Sequence, residues 1–207
     1  MPTHSLVREH LLIEQVLNCL ERMLERCNAQ HVLEATPAYQ AIEFLRGFAE
    51  RCHRVREERE LLPKMESLGI SAEQCLGCSL HHRRHEARRH VEALGATVEP
   101  AAEGDQEAID RFTEHAEAYI EMLTDYMARQ EDCLFPMIEC DLPAQAKRRL
   151  ITLQDTAERS EGGTEAFDTY LDIANRLADY FDVPRSVMEE APAQRTFPEQ
   201  PRDVHPR

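Results

Sequence analysis

Glycine is scarce in this sequence, seven residues in 207, and short alternating runs rich in Val, Ile and Thr are missing. With Leu, Ala, Glu and Arg abundant, that argues against a strand-built fold and makes an all-α protein the expectation. No apolar run approaches the roughly 18 residues that a membrane span needs, and no charged-then-apolar leader opens the chain. Positive charge is in deficit: 24 Lys and Arg face 39 Asp and Glu, a formal net charge of −15. A nucleic-acid partner therefore has little electrostatic support, and the basic cluster around Arg83 to Arg89 is a local exception. The expected setting is soluble and cytoplasmic, with no membrane and no nucleic acid. Seven cysteines, an odd number without a secretion signal, fit reduced thiols better than a disulfide framework. Cys75-x-x-Cys78 has no second pair and no preceding thioredoxin-like strand, so it is a weak redox signal. No Ser/His/Asp arrangement and no glycine-rich phosphate loop stands out.

What is present is helical periodicity. Leu6, Ile13, Val16, Leu17, Leu20, Met23 and Leu24 recur at three- and four-residue steps, predicting a first helix over about 5–26. A second is expected over about 38–67, with Ala41, Ile42, Leu45, Phe48, Ala49 and Cys52 as its apolar face. A capping box, Ser71-x-x-Gln74, opens a third helix, and Gly95, Pro100 and Gly104 mark the break after it. A fourth runs over about 106–139, and shorter helical patterns follow near 143–158 and 165–181. From Val183 onward prolines and charges dominate without periodicity, predicting an extended or disordered tail. Short links between four long helices predict an up-down-up-down four-helix bundle over residues 1–142. A C-terminal helical extension at 143–182 and a Pro-rich tail at 183–207 complete the expected organisation.

The stretch from Cys52 to Pro63 carries the chemistry. His53 and Glu57 stand four residues apart, one turn apart on one helix face, and offer a mixed N/O donor pair suited to iron or manganese. The bland alternative is a solvated face, because Glu58, Glu60 and three arginines share those turns. His10 and Glu14 repeat the spacing in the first helix, where His10 falls within the apolar stripe. His81, His82 and His90 read as surface residues. Counting along the rise of each helix brings His10, His53 and His85 to one level. In the fourth helix, counting back from Leu134-Phe135-Pro136 as from Leu61-Leu62-Pro63, the corresponding positions hold Tyr126 and Gln130. Glu131, one residue on, needs a local bulge to turn inward. His115, three turns earlier, is the rival for that place.

With those residues in order, the chain resembles the hemerythrin-like (HHE cation-binding) proteins. Leu6 to Glu14 resembles that family's first helix, Cys52 to Pro63 its second, Ser71 to Leu94 its third, and Gln130 to Pro136 the close of its fourth. The resemblance implies a four-helix bundle holding a non-haem iron centre, of two ions or else of one ion or another metal. By the same likeness the ligands are His10, His53, Glu57 and His85. Tyr126 and Gln130 replace the fourth-helix His and Glu. Glu14 and a Tyr126 phenolate are the candidates to make up the lost charge, the latter with a visible tyrosinate-to-iron absorption. The implied roles are oxygen binding, iron or oxidative sensing, and responses to nitric oxide or peroxide, with a small diatomic or peroxide ligand at the metal. The competing expectation is a non-catalytic interaction module with a degenerate metal site, meeting a protein partner through the C-terminal helices. Whether the protein turns over as an enzyme is left open by the sequence.

Overall fold

The computed structural model describes residues 3–67, 71, 73, 76, 80–148, 152 and 163–186. Among them every regular element is helical. Helix α1 spans His4–Gln30 and ends on His31, whose left-handed backbone (φ 55°) turns its N–H back to the Cys27 carbonyl at 2.8 Å. The predicted stripe from Leu6 to Leu24 is its buried face.

Helix α2 covers residues 35–66 and is not a uniform spiral. It opens as an α-helix over Ala35–Phe44, with Pro37 accommodated in the first turn, where no backbone N–H is needed. It then widens into π-helix over Leu45–His53, narrows at Arg54–Arg56, widens again over Glu57–Leu61 and closes at Leu62–Glu66. A π turn rotates the following side chains backwards relative to α-helix, and such turns recur at functional sites. Here they bracket His53 and Glu57.

Helix α3 spans Leu80–Ala102 and runs straight through Gly95 and Pro100, where a break was expected. Arg46 of α2 lies against Gly95 and donates to the Val91 carbonyl at 3.3 Å, so the glycine serves a close approach. Pro100 sits in the last turn, and its carbonyl receives the Asp105 N–H at 3.0 Å. The turn itself falls at Gly104, with φ +87°. Asp105 then caps helix α4 by accepting from the Ala108 N–H at 3.1 Å. Helix α4 covers residues 106–141: Gln106–Arg129, a π segment Gln130–Leu134, and Phe135–Asp141. It folds back on α3 as a hairpin, the most extensive pairing among the described residues.

After a short helical stretch at 144–148, helix α5 covers Gly163–Phe181 and packs on α1 and α2. Leu171, Ile173, Ala174, Leu177, Ala178 and Phe181 are buried in the same core as α1, so its apolar stripe is used internally. Gln15 of α1 ties this end by donating to Asn175 and accepting from the Ser186 N–H at 2.6 Å. The expected capping box at 71–74, the Cys75/Cys78 pair, most of the pattern at 143–158 and the tail beyond 186 lie outside the described residues.

Two apolar cores result. The larger one draws on α1, α2, α3, α4 and α5; the smaller gathers Leu6, Leu61, Leu62, Met65, Leu76, Tyr126, Leu134, Phe135 and Ile138. Cys19, Cys27, Cys52 and Cys140 are free thiols, and burial pushes Cys19 up to about 12, which makes it inert. Cys133 is disulfide-bonded.

Candidate metal centre

Between the two cores lies a polar layer. His10 of α1 stands between Leu6, in the smaller core, and Ile13, in the larger; His53 and Glu57 of α2 stand between Ala49 and Leu61 in the same way. All three are nearly inaccessible to solvent. One donor atom from each lies within 4.8 Å of the other two, the only such group of three among the described residues.

The orientation of the rings is specific. His10 Nδ1 lies 2.7 Å from Glu131 Oε1, and His53 Nδ1 lies 2.7 Å from Glu9 Oε2. Each carboxylate accepts a hydrogen bond from Nδ1–H and so leaves the Nε2 atom to face inward. Both Nε2 atoms are buried without a hydrogen-bond partner. His53 Nε2 is 3.1 Å from Glu57 Oε1, close enough for charge attraction but without the alignment of a hydrogen bond. The rings meet edge to face at 4.9 Å, and Phe135 stacks on His10 at 5.4 Å, closing the layer from the smaller core.

Glu57 is held from the other side. Tyr126 Oη donates to its Oε2 at 3.2 Å, and Gln130 Nε2 donates to its Oε1. Arg83 of α3 places its guanidinium over the Tyr126 ring, and Arg56 forms an ion pair with Glu9. Burial raises Tyr126 well above the ordinary phenol range, and the Glu57 charge adds to this, so it is a neutral donor here. Burial alone would lower His53, yet the Glu57 charge and the bonds to Glu57 and Glu9 outweigh it and raise the imidazole to about 9. Burial opposes the Glu57 carboxylate too, but His53 and Gln130 bring it down to about 2. His10 moves down, through burial first and the His53 charge second.

The structure thus brings together His10, His53 and Glu57, with Tyr126 and Gln130 one hydrogen bond away. It does not bring in Glu14 or His85, both of which are exposed. On α1 an α-helical step of four residues drifts by about 40°, which carries Glu14 past the edge of the stripe that holds His10. Glu57, at the same spacing from His53, is inward on a step that π segments bracket on both sides. On α3 the buried positions Ala87, Val91, Leu94 and Val98 extrapolate back to Arg83, and His85 lies two residues off that line. His115 sits elsewhere, its Nδ1 3.1 Å from Nδ1 of His90. His90 is buried in that contact, not a surface residue as expected.

Of the two carboxylates behind the histidines, pattern alone missed Glu9 and named Glu131 only on condition of a bulge. Glu9 occupies a stripe position, three residues after Leu6 and four before Ile13, and that placement was the available signal. Glu131 is 44% exposed and reaches His10 from the Gln130–Leu134 π turn, the bulge that its inward turn requires. It meets the back of the imidazole, not the inner face. A carboxylate behind each histidine is the arrangement by which metal-ligating imidazoles are oriented and made more basic. Two Nε2 lone pairs and one carboxylate oxygen match a first-row transition-metal ion.

No protein-family model, curated protein or solved structure matches the chain. No described helix is long and apolar enough to cross a membrane.

Proposed function

We propose that this chain is a hemerythrin-like four-helix protein that binds non-haem iron at His10, His53 and Glu57. Its function in this proposal is to bind, sense or react with dioxygen, nitric oxide or peroxide. The carrying observation is the pair of buried, unpartnered Nε2 atoms beside Glu57, each ring held from behind by Glu131 or Glu9. Leaving a buried nitrogen such as His10 Nε2 without a hydrogen bond costs on the order of 1–3 kcal/mol, a cost that a bound cation removes. The proposed bundle consists of α1 to α4, with α5 as an added brace on α1 and α2.

Bound iron would supply open positions for a small ligand together with Lewis-acid and redox capacity. The chain's own residues do the rest. His10 and His53 present neutral nitrogens, Glu57 supplies the anionic oxygen, and Glu9 and Glu131 fix both tautomers. Tyr126 and Gln130 orient Glu57, and Phe135 with the two cores excludes bulk water, which favours small apolar diatomics over larger polar substrates.

A second possibility has its own support. The ionic pair of His53 and Glu57, extended through Glu9 to Arg56, satisfies much of the layer by itself, as a buried structural network would. In that case the protein is a non-catalytic interaction module. Elemental analysis of protein purified without metal-affinity resin or chelator separates the two. Iron at a defined stoichiometry supports the metal centre; no metal above background, even after anaerobic iron addition, leaves the ion-pair network.

A further inference from the structure

The polar layer is lopsided. Among the described residues, the histidine and carboxylate donors that share one group face in from α1 and α2: His10, His53 and Glu57. From α3 and α4 the inward residues at the same level are Arg83, Tyr126 and Gln130, a cation, a phenol and an amide whose nitrogen donates to Glu57 and whose remaining oxygen brings no charge. Taking the iron-binding proposal as its basis, we infer that this centre holds one metal ion, not two. The guanidinium of Arg83 and the donors Tyr126 and Gln130 stand where a second ion would need its ligands.

Three physical points converge. The first is ligand supply. A two-ion carboxylate site in a helical bundle draws donors from all four helices, with carboxylates spanning the pair. Here Glu57 is the one carboxylate grouped with the two histidines, and both its oxygens already accept from α4, while Glu50, the preceding carboxylate along α2, is engaged by Arg54 and Tyr119. Glu9 and Glu131 are committed to the Nδ1 atoms behind the histidines.

The second is charge. With both imidazoles neutral, Glu9, Glu57 and Glu131 carry three negative charges, against one positive charge each on Arg56 and Arg83. One divalent ion already more than neutralises the remainder. A second would add two further uncompensated positive charges in a layer between two apolar cores, which is strongly unfavourable.

The third is repulsion. Arg83 is buried over the Tyr126 ring, and its guanidinium stays protonated at any working pH. A second dication beside Tyr126 would meet that charge at short range in a poorly screened site. Two histidines and one carboxylate form the donor set of mononuclear ferrous sites that keep several positions open to exogenous ligands.

The test is stoichiometry read together with spin coupling on the full chain. Protein stripped by chelator is loaded anaerobically with ferrous ion and, in parallel, with manganous ion, and freed of loose metal by gel filtration. The expected result is one ion per chain and a manganese resonance with the hyperfine pattern of an isolated ion. That ion should be lost in His53→Ala and kept in His85→Ala and His115→Ala. Two ions per chain with an exchange-coupled spectrum would overturn the inference while leaving the iron-binding proposal intact. A single ion that survives His53→Ala would overturn it too, by placing the metal elsewhere. No ion at all would remove both together. Because His53→Ala also strips a buried charge partner, circular dichroism and a second variant, His10→Gln, guard against mistaking unfolding for metal loss.

Discussion

Helices α1 and α2 and helices α3 and α4 meet in one polar layer, yet they bring opposite chemistry to it. The first pair supplies the imidazoles, Glu57 and the Glu9 carboxylate behind His53. The second pair supplies hydrogen-bond donors and a guanidinium to the inner face, and the Glu131 carboxylate only from behind His10. Both sides are well buried, so burial alone does not mark a ligand. What separates them is which inward atom lacks a hydrogen bond. On the α1–α2 side it is two imidazole nitrogens; on the α4 side Tyr126 and the amide nitrogen of Gln130 have each found Glu57, and the atom left over is a neutral amide oxygen, Gln130 Oε1.

The largest expected effect comes from breaking the ligand side. His53→Ala should abolish metal binding and leave Glu57 and Glu9 as buried charges without their imidazole. The expected loss in the chelator-treated protein is about 3–5 kcal/mol. Urea denaturation alongside elemental analysis reads both; a variant that keeps its metal would show that His53 is not a ligand.

Breaking the donor side should act on stability and spare the ion. Gln130→Ala removes a buried donor from Glu57, at an expected cost of about 1–3 kcal/mol, with metal content unchanged. A Gln130→Ala protein of normal stability that loses its metal would reverse the assignment of the two sides.

pH sharpens the same contrast. In chelator-treated protein, His53 is held at about 9, above its ordinary 6.5, so its stabilising effect is complete below pH 6.5 and is lost as pH rises toward 9. Glu57 is held at about 2, below its ordinary 4.5, so its contribution is present above pH 4.5 and fades as pH falls toward 2. His10, held below 6.5, adds to the acid loss. A bound ion takes the place of the His53 proton and should remove the alkaline decline. Urea midpoints between pH 6 and 9, with and without metal, should therefore diverge; parallel curves would argue against His53 as a ligand.

The smallest effect is expected at Tyr126. A hydroxyl that donates to Glu57 contributes about 1 kcal/mol, so Tyr126→Phe should shift the melt slightly and leave metal content alone. The loaded wild-type protein should lack a tyrosinate-to-iron absorption band. A band that disappears in Tyr126→Phe would make the phenolate a ligand after all.

Much of this could be read along the chain, but unevenly. The helices were legible because apolar stripes repeat at helical spacing, and α1 and α4 begin close to where that pattern begins. The passage of α3 through Gly95 and Pro100 was not, because it depends on Arg46 packing against Gly95 from another helix. At the centre, spacing alone singled out His53 and Glu57. Glu14 and His85 looked equally eligible by the same rule and are exposed, whereas Glu9 and Arg83 carried no motif and line or back the layer, and Glu131 reaches it through the bulge it needed.

By itself, then, the sequence determined an acidic, all-helical chain with a histidine and a carboxylate one turn apart in its second helix. Composition and periodicity are local properties, and local properties suffice for that. Which residues face the layer was decided only in the tertiary structure. Three π turns in α2 and α4 re-aim side chains by a fraction of a turn, and a fraction of a turn decides whether a carboxylate meets an imidazole or solvent. Partnering was decided there as well, since a hydrogen bond between Gln130 and Glu57 joins residues 73 positions apart.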